Sequence, residues 1–164
     1  MAVTTDIAGM YVRPRAVVRR LLSMGQREDR ALLYLMLSCG LIFVAQWPRL
    51  SREAYLDPEV PLQALIGGAL LAWLFLAPLI LYALAALTRI VARVLGGQGT
   101  WFTARLALFW SLLAAVPAWL LTGLVAGFVG PGPALSLTGA LAFGVFLLFW
   151  GLSLWETERT GLLA

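Results

Sequence analysis

The 164 residues contain no histidine, no lysine and a single cysteine, Cys39. Without imidazole there is no histidine-based acid–base catalysis and no histidine metal site. Without lysine, Schiff-base chemistry and a Walker-type phosphate loop are excluded. One cysteine forbids an internal disulfide and any multi-thiolate zinc or iron–sulfur centre. Cys39 sits inside an apolar run and reads as a small core residue rather than a reactive thiol. Charge is also scarce: Asp, Glu and Arg together make 12% of the chain, against about 25% in an ordinary soluble domain.

What remains is apolar. Hydrophobic types reach 62% and the mean hydropathy is +0.90, which leaves too few polar residues to cover a water-soluble fold. The expected fold class is therefore all-α: a polytopic membrane helical bundle of four transmembrane helices, preceded by an N-terminal interfacial amphipathic helix. A span needs about 20 apolar residues to cross roughly 30 Å of hydrocarbon. Four stretches serve: residues 31–47, 62–88 with Pro78 as a kink, 101–129 with Pro117 within it, and 134–155. The organisation is a cytoplasmic N-terminal segment, residues 1–30, and a transmembrane domain, residues 31–164.

The connections support these limits. Residues 48–61 carry Arg49, Arg52, Glu53, Asp57, Glu59 and further prolines, and are expected to be a loop. Gly96, Gly97, Gln98 and Gly99 form a glycine turn, with Gly97 expected at positive φ and Thr100 placed to N-cap the third span. Residues 130–133, Gly-Pro-Gly-Pro, break the chain between the last two spans, which should form a helical hairpin.

Arginine placement sets the expected orientation. With four crossings, Arg13, Arg15, Arg19, Arg20, Arg27, Arg30, Arg89, Arg93, Arg105 and Arg159 fall on one side, and only Arg49 and Arg52 on the other. By the positive-inside rule both termini are expected to be cytoplasmic. The first thirty residues lack a signal-peptide pattern and are expected to stay attached. Pro14 suits a first helical turn, and Val17, Val18, Leu21 and Leu22 make an apolar stripe, so this helix is expected to lie on the inner leaflet by apolar insertion.

From Arg89 to Phe102 the chain reads Arg-Ile-Val-Ala-Arg-Val-Leu-Gly-Gly-Gln-Gly-Thr-Trp-Phe, followed by Ala104-Arg105-Leu106-Ala107 and the mid-span Pro117. With the tail Phe149-Trp150-Gly151-Leu152-Ser153-Leu154, this resembles the Yip family, membrane proteins named for binding Ypt/Rab GTPases, over about residues 62–164. The resemblance implies a prokaryotic Yip-type inner-membrane protein. Members of that family usually have five spans, and the chain ends at Gly161-Leu162-Leu163-Ala164, about where a fifth would start. The aspartate-leucine-tyrosine motif of the eukaryotic members is absent, so GTPase binding is not implied.

No charged residue occurs from 31 to 47 or from 62 to 88, which argues against an ion pathway; the hydroxyls at that depth read as helix–helix contacts. Trp47, Trp101 and Trp155 fall at the expected interfaces as an aromatic belt. Small residues four apart, Gly123 with Gly127 and Ser136 with Ala140 and Gly144, are expected to pack spans three and four together, with a homodimer face as the alternative. Around the glycine turn, Arg89, Arg93 and Arg105 with Gly96, Gly97 and Gly99 form a candidate site for an anionic phospholipid or a partner, beside the free N–H groups of the next helix. The other reading is a plain turn flanked by topology-setting arginines. No catalytic residue, cofactor site or metal site is expected, and nothing points to nucleic acid. The expected partners are the lipid bilayer and a membrane protein or a second copy. The expected role is a scaffold or accessory subunit rather than an enzyme, with a small-solute permease as the runner-up and a lipid-modifying activity as the enzyme alternative.

Overall fold

The computed structural model describes residues 3–57 and 59–160, and among them only helices occur. The elements are α1 (Val3–Val12), α2 (Pro14–Ser23), α3 (Glu28–Leu56), α4 (Leu62–Leu71), a π-helical turn (Ala72–Leu76), α5 (Ala77–Val94), α6 (Trp101–Ala114), α7 (Val116–Phe128) and α8 (Pro133–Thr160). Three rods, α3, α4–α5 and α8, are long and apolar enough to cross a membrane, and α6 with α7, bent by 44°, brings the number to four if the pair is one span. The expected all-α membrane bundle is the fold. Residues 161–164, where a fifth span would begin, lie outside the described residues.

Four boundaries differ from the sequence expectation. The first span does not stop at residue 47: α3 continues through Pro48 to Leu56, so most of residues 48–61 is helix rather than loop. Proline removes one ladder bond there, but the Arg49 guanidinium donates to Gln46 and pairs with Glu53 at 3.1 Å, and these local bonds carry the charged end onward. The second span runs on to Val94, and its ladder widens to a π turn just ahead of Pro78. The third is two helices because Pro117, in the first turn of α7, offers no N–H to the carbonyl one turn back. The fourth extends to Thr160, past its apolar stretch.

α6 occupies the centre. Leu106 to Ala115 is one continuous buried run, apolar nearly all round, as a helix enclosed by others must be. Leu35, Cys39 and Ile42 of α3, Ala85 of α5, and Phe146 and Phe149 of α8 close the core with it. Trp110 meets Tyr34 edge-on at 4.9 Å, and Phe109 meets Tyr82 at 5.0 Å. The buried Ser111 and Ser153 hydroxyls stand 3.2 Å apart and join α6 to α8.

The N-terminal segment holds two helices where the sequence pattern showed one. α1 and α2 form a hairpin, fastened by an Arg20–Asp6 ion pair. α2 is amphipathic, but its stripe is buried against the bundle instead of inserted in lipid: Val18 and Leu21 share a small void with Leu106, Trp110, Ser153 and Thr157. Tyr11 fixes the hairpin tip. Its hydroxyl donates to the Ala114 carbonyl (3.0 Å) at the α6–α7 break, and its ring meets Phe149 edge-on at 5.0 Å. Burial raises the phenol's pKa, so it stays a donor.

The small-residue expectation also changes. Gly123 and Gly127 face α3, where an added Cβ would strike the backbone of Ala45 and of Pro48. The bend at Ala115 turns α7 against α3, so the first glycine pair serves spans one and three. Spans three and four do meet, through Thr122 donating to the Thr138 carbonyl at 3.1 Å. The second row does not join them: Ser136, Ala140 and Gly144 are exposed, with nothing within contact range of a Cβ at Gly144.

Candidate functional site

The glycine turn lies where α5 ends, α6 begins and α8 ends, at the end of the bundle richest in arginine. α5 closes with a Schellman arrangement: Gly97 N–H donates to the Ala92 carbonyl at 2.8 Å while Gly96 takes φ +86°. The left-handed residue is therefore Gly96 and not Gly97. Thr100 N-caps α6 as expected, in a reciprocal box with Thr103.

What fills the turn is α8's own carboxylate. Glu158 accepts from the Gly99 N–H at 2.8 Å and lies 3.5 Å from the Arg89 guanidinium, which also donates to the Gly97 carbonyl at 3.4 Å. A Cβ at Gly97 or at Gly99 would run into that carboxylate. These two glycines are absent side chains that let an acid approach the backbone. The Gly99 N–H, just ahead of the helix start expected to greet an external anion, is thus met by an internal one.

The three arginines do not converge. Arg89 is mostly buried on Glu158, Arg105 pairs with Glu28 at the start of α3, and Arg93 is exposed. Arg89 and Arg93 are four residues apart, yet only Arg89 turns toward α8. A groove of about 570 Å³ does lie beside the turn, but Leu95, Gly96, Leu154, Trp155 and Arg159 line it, with the Arg159 guanidinium 5.1 Å from the Trp155 ring centre.

Glu156 completes the junction by pairing with Arg19 of α2, a hydrogen bond that raises the arginine's pKa further. Two acids in the last turns of α8 oppose the helix dipole. They are held there because each has a guanidinium from another helix. The basic end is thus a junction in which α2 and α5 are fastened to α8, and α6 to α3, by arginine–carboxylate contacts. Charge placement alone showed Glu156 and Glu158 beside arginines at a span end, but not their partners, which lie 137 and 69 residues away.

At the far end Arg52 has a role the sequence did not reveal. Its guanidinium lies against Gly130 and reaches the Gly127 carbonyl at 3.5 Å, where a cation meets the C-terminus of α7 favourably. Comparison with known proteins finds no matching family model, no matching curated protein and no matching solved structure.

Proposed function

We propose that this chain is a multi-pass protein of the bacterial inner membrane, of the Yip type, acting as a scaffold or accessory subunit that organises membrane partners or lipids and catalyses no reaction itself. The observation that carries this reading is the unequal packing of its long helices. In the most apolar window of α3, 39% of residues are buried inside the chain, whereas in α4–α5 only 6% are. A rod that contributes little to its own bundle is available along most of its length to a neighbouring helix, and association in lipid depends on such side-by-side packing. The paired state of Glu28, Glu156 and Glu158 supports a structural use of these acids over acid–base catalysis. The gathering of arginines at one end supports cytoplasmic termini.

Site-directed photocrosslinking in native membranes tests the role. A crosslinker at the exposed Leu79 or Ile80 of α5 should give a discrete protein adduct, and one at the buried Leu108 should give none beyond the chain itself. Lipid adducts alone at Leu79 and Ile80, or solute passage through liposomes holding the purified chain, would overturn the scaffold reading. Orientation is checked with a cysteine at Gln98, since Cys39 is buried. Labelling of that cysteine from outside intact cells would reverse the topology.

A further inference from the structure

The exposed row on α8 forms the floor of a groove. Ala140 and Gly144 keep it open, Leu148 and Phe149 continue it toward the basic end, and Tyr11 from the hairpin tip stands against it, enclosing about 490 Å³. From Ala140 to Phe149 is nine residues, about 13 Å at the helical rise, and the stretch is centred on the middle of the apolar run 134–155, so a chain that enters from the basic end and lies in it reaches the bilayer centre. The walls are apolar and one side is open, so the groove suits a chain entering from the bilayer and not a water-borne ligand.

A charge lies at its basic end. α2 runs beside α8 in the same direction, because Tyr11, just before α2, meets Phe149 while Arg19 meets Glu156. Arg15 precedes Arg19 by four residues, which puts it on the same helix face and about 6 Å nearer the groove. Arg19 is occupied by Glu156; Arg15 is exposed and has no hydrogen-bond or ion-pair partner among the described residues. That unpaired guanidinium is one turn nearer the groove than the Arg19–Glu156 pair, and its long side chain can extend toward the basic end to meet a phosphate there.

We infer that this groove is a binding site for an anionic phospholipid of the leaflet at the basic end, with one acyl chain along Ala140 and Gly144 and the phosphate on Arg15. The tail then points to the bilayer centre and the headgroup to the basic end, as a lipid of that leaflet requires. The small residues act as the floor of a lipid slot, and the α1–α2 hairpin supplies both its wall, Tyr11, and its charge. The slot needs no protein partner, so its failure would leave the scaffold reading standing.

Native mass spectrometry of the full chain in mild detergent, offered equal phosphatidylglycerol and phosphatidylcholine, tests the slot. Wild type should retain phosphatidylglycerol preferentially. Arg15→Gln should reduce that retention about fivefold and remove the preference, the effect of roughly one headgroup-level charge, and Arg15→Lys should restore it. Gly144→Leu should lose both lipids with Arg15 intact. Neither change threatens folding, since Arg15 is exposed and a Cβ at Gly144 meets open space. Arg93→Gln, exposed at the glycine turn, should behave as wild type. Unchanged retention in both Arg15→Gln and Gly144→Leu would overturn the slot, as would an equal loss in Arg93→Gln, which would mark diffuse charge attraction. A disulfide-linked dimer formed by Gly144→Cys would show that a second copy covers the groove, and would also overturn it.

Discussion

The two ends of the bundle are held by different physics. At the basic end, helices meet through charges: Arg19 with Glu156, Arg89 with Glu158, Arg105 with Glu28. At the far end, α3 and α7 meet through missing side chains, where Gly123 and Gly127 lie on the backbone at Ala45 and Pro48. Contact by backbone proximity tolerates no added volume and is insensitive to salt. Contact by ion pairs tolerates volume but depends on which partner is buried. The difference predicts a graded set of mutational costs, and the far end should give the largest.

Gly123→Leu is expected to be the most damaging substitution. Its side chain cannot move away from the Ala45 carbonyl without parting α3 from α7, and overpacking of this kind costs about 3 kcal/mol. Denaturation in mixed micelles followed by tryptophan fluorescence should show the loss, equally at low and high salt. A cost that salt relieves would erase the distinction between the two ends.

Glu158→Gln comes next. The amide keeps the shape and can still accept from Gly99, but Arg89, with its side chain only 12% exposed, loses its counter-charge, at a cost of about 2 kcal/mol. Glu156→Gln should cost less, because Arg19 is 66% exposed and water replaces that pair. Equal costs for the two would show that burial of the arginine does not decide the strength of this end.

The glycine turn sharpens the same comparison locally. Gly96→Ala should cost about 1 kcal/mol through its left-handed φ alone, and that cost should be unchanged when Glu158 is replaced by alanine. The cost of Gly97→Ala should fall in the same background, because much of it is a clash with the Glu158 carboxylate. A double-mutant cycle separates a glycine required for its backbone angle from one required for its missing side chain.

Why the sequence disclosed the rods but not the junctions follows from these pairs. Apolar runs, the glycine turn, Thr100 and Gly130 act locally, so the helices, the α6 cap and the hairpin before α8 could be read along the chain, although the left-handed position fell at Gly96 and not at Gly97 as expected. The partner of Gly123 could not. A small residue shows that something approaches closely, and the direction came from the bend at Ala115, which turned α7 to α3. α1 was hidden for a different reason: Thr4, Thr5, Asp6 and Gly9 obscure its pattern, and it is held by Arg20 and by Tyr11 reaching a carbonyl freed more than a hundred residues later.

The smallest expected effect is the most direct check on the candidate site. Arg89 and Arg93 look alike in sequence, four residues apart toward the end of α5, with Arg93 in its last turn. Only Arg89 is taken up by Glu158 and the Gly97 carbonyl, while Arg93 is exposed, with no partner among the described residues. Arg89→Gln should therefore lose a partly buried pair and strand the Glu158 carboxylate, whereas Arg93→Gln should change stability by no more than about 0.5 kcal/mol, the ordinary value for a surface change. Both variants remove one positive charge from the same end, so any effect on membrane orientation should be shared and any effect on stability should not. Unfolding midpoints measured beside cysteine labelling at Gln98 keep the two readouts apart. If Arg93→Gln proved as costly as Arg89→Gln, the turn would be held by its total charge, and the Glu158 contact would lose its place as the junction's fastening.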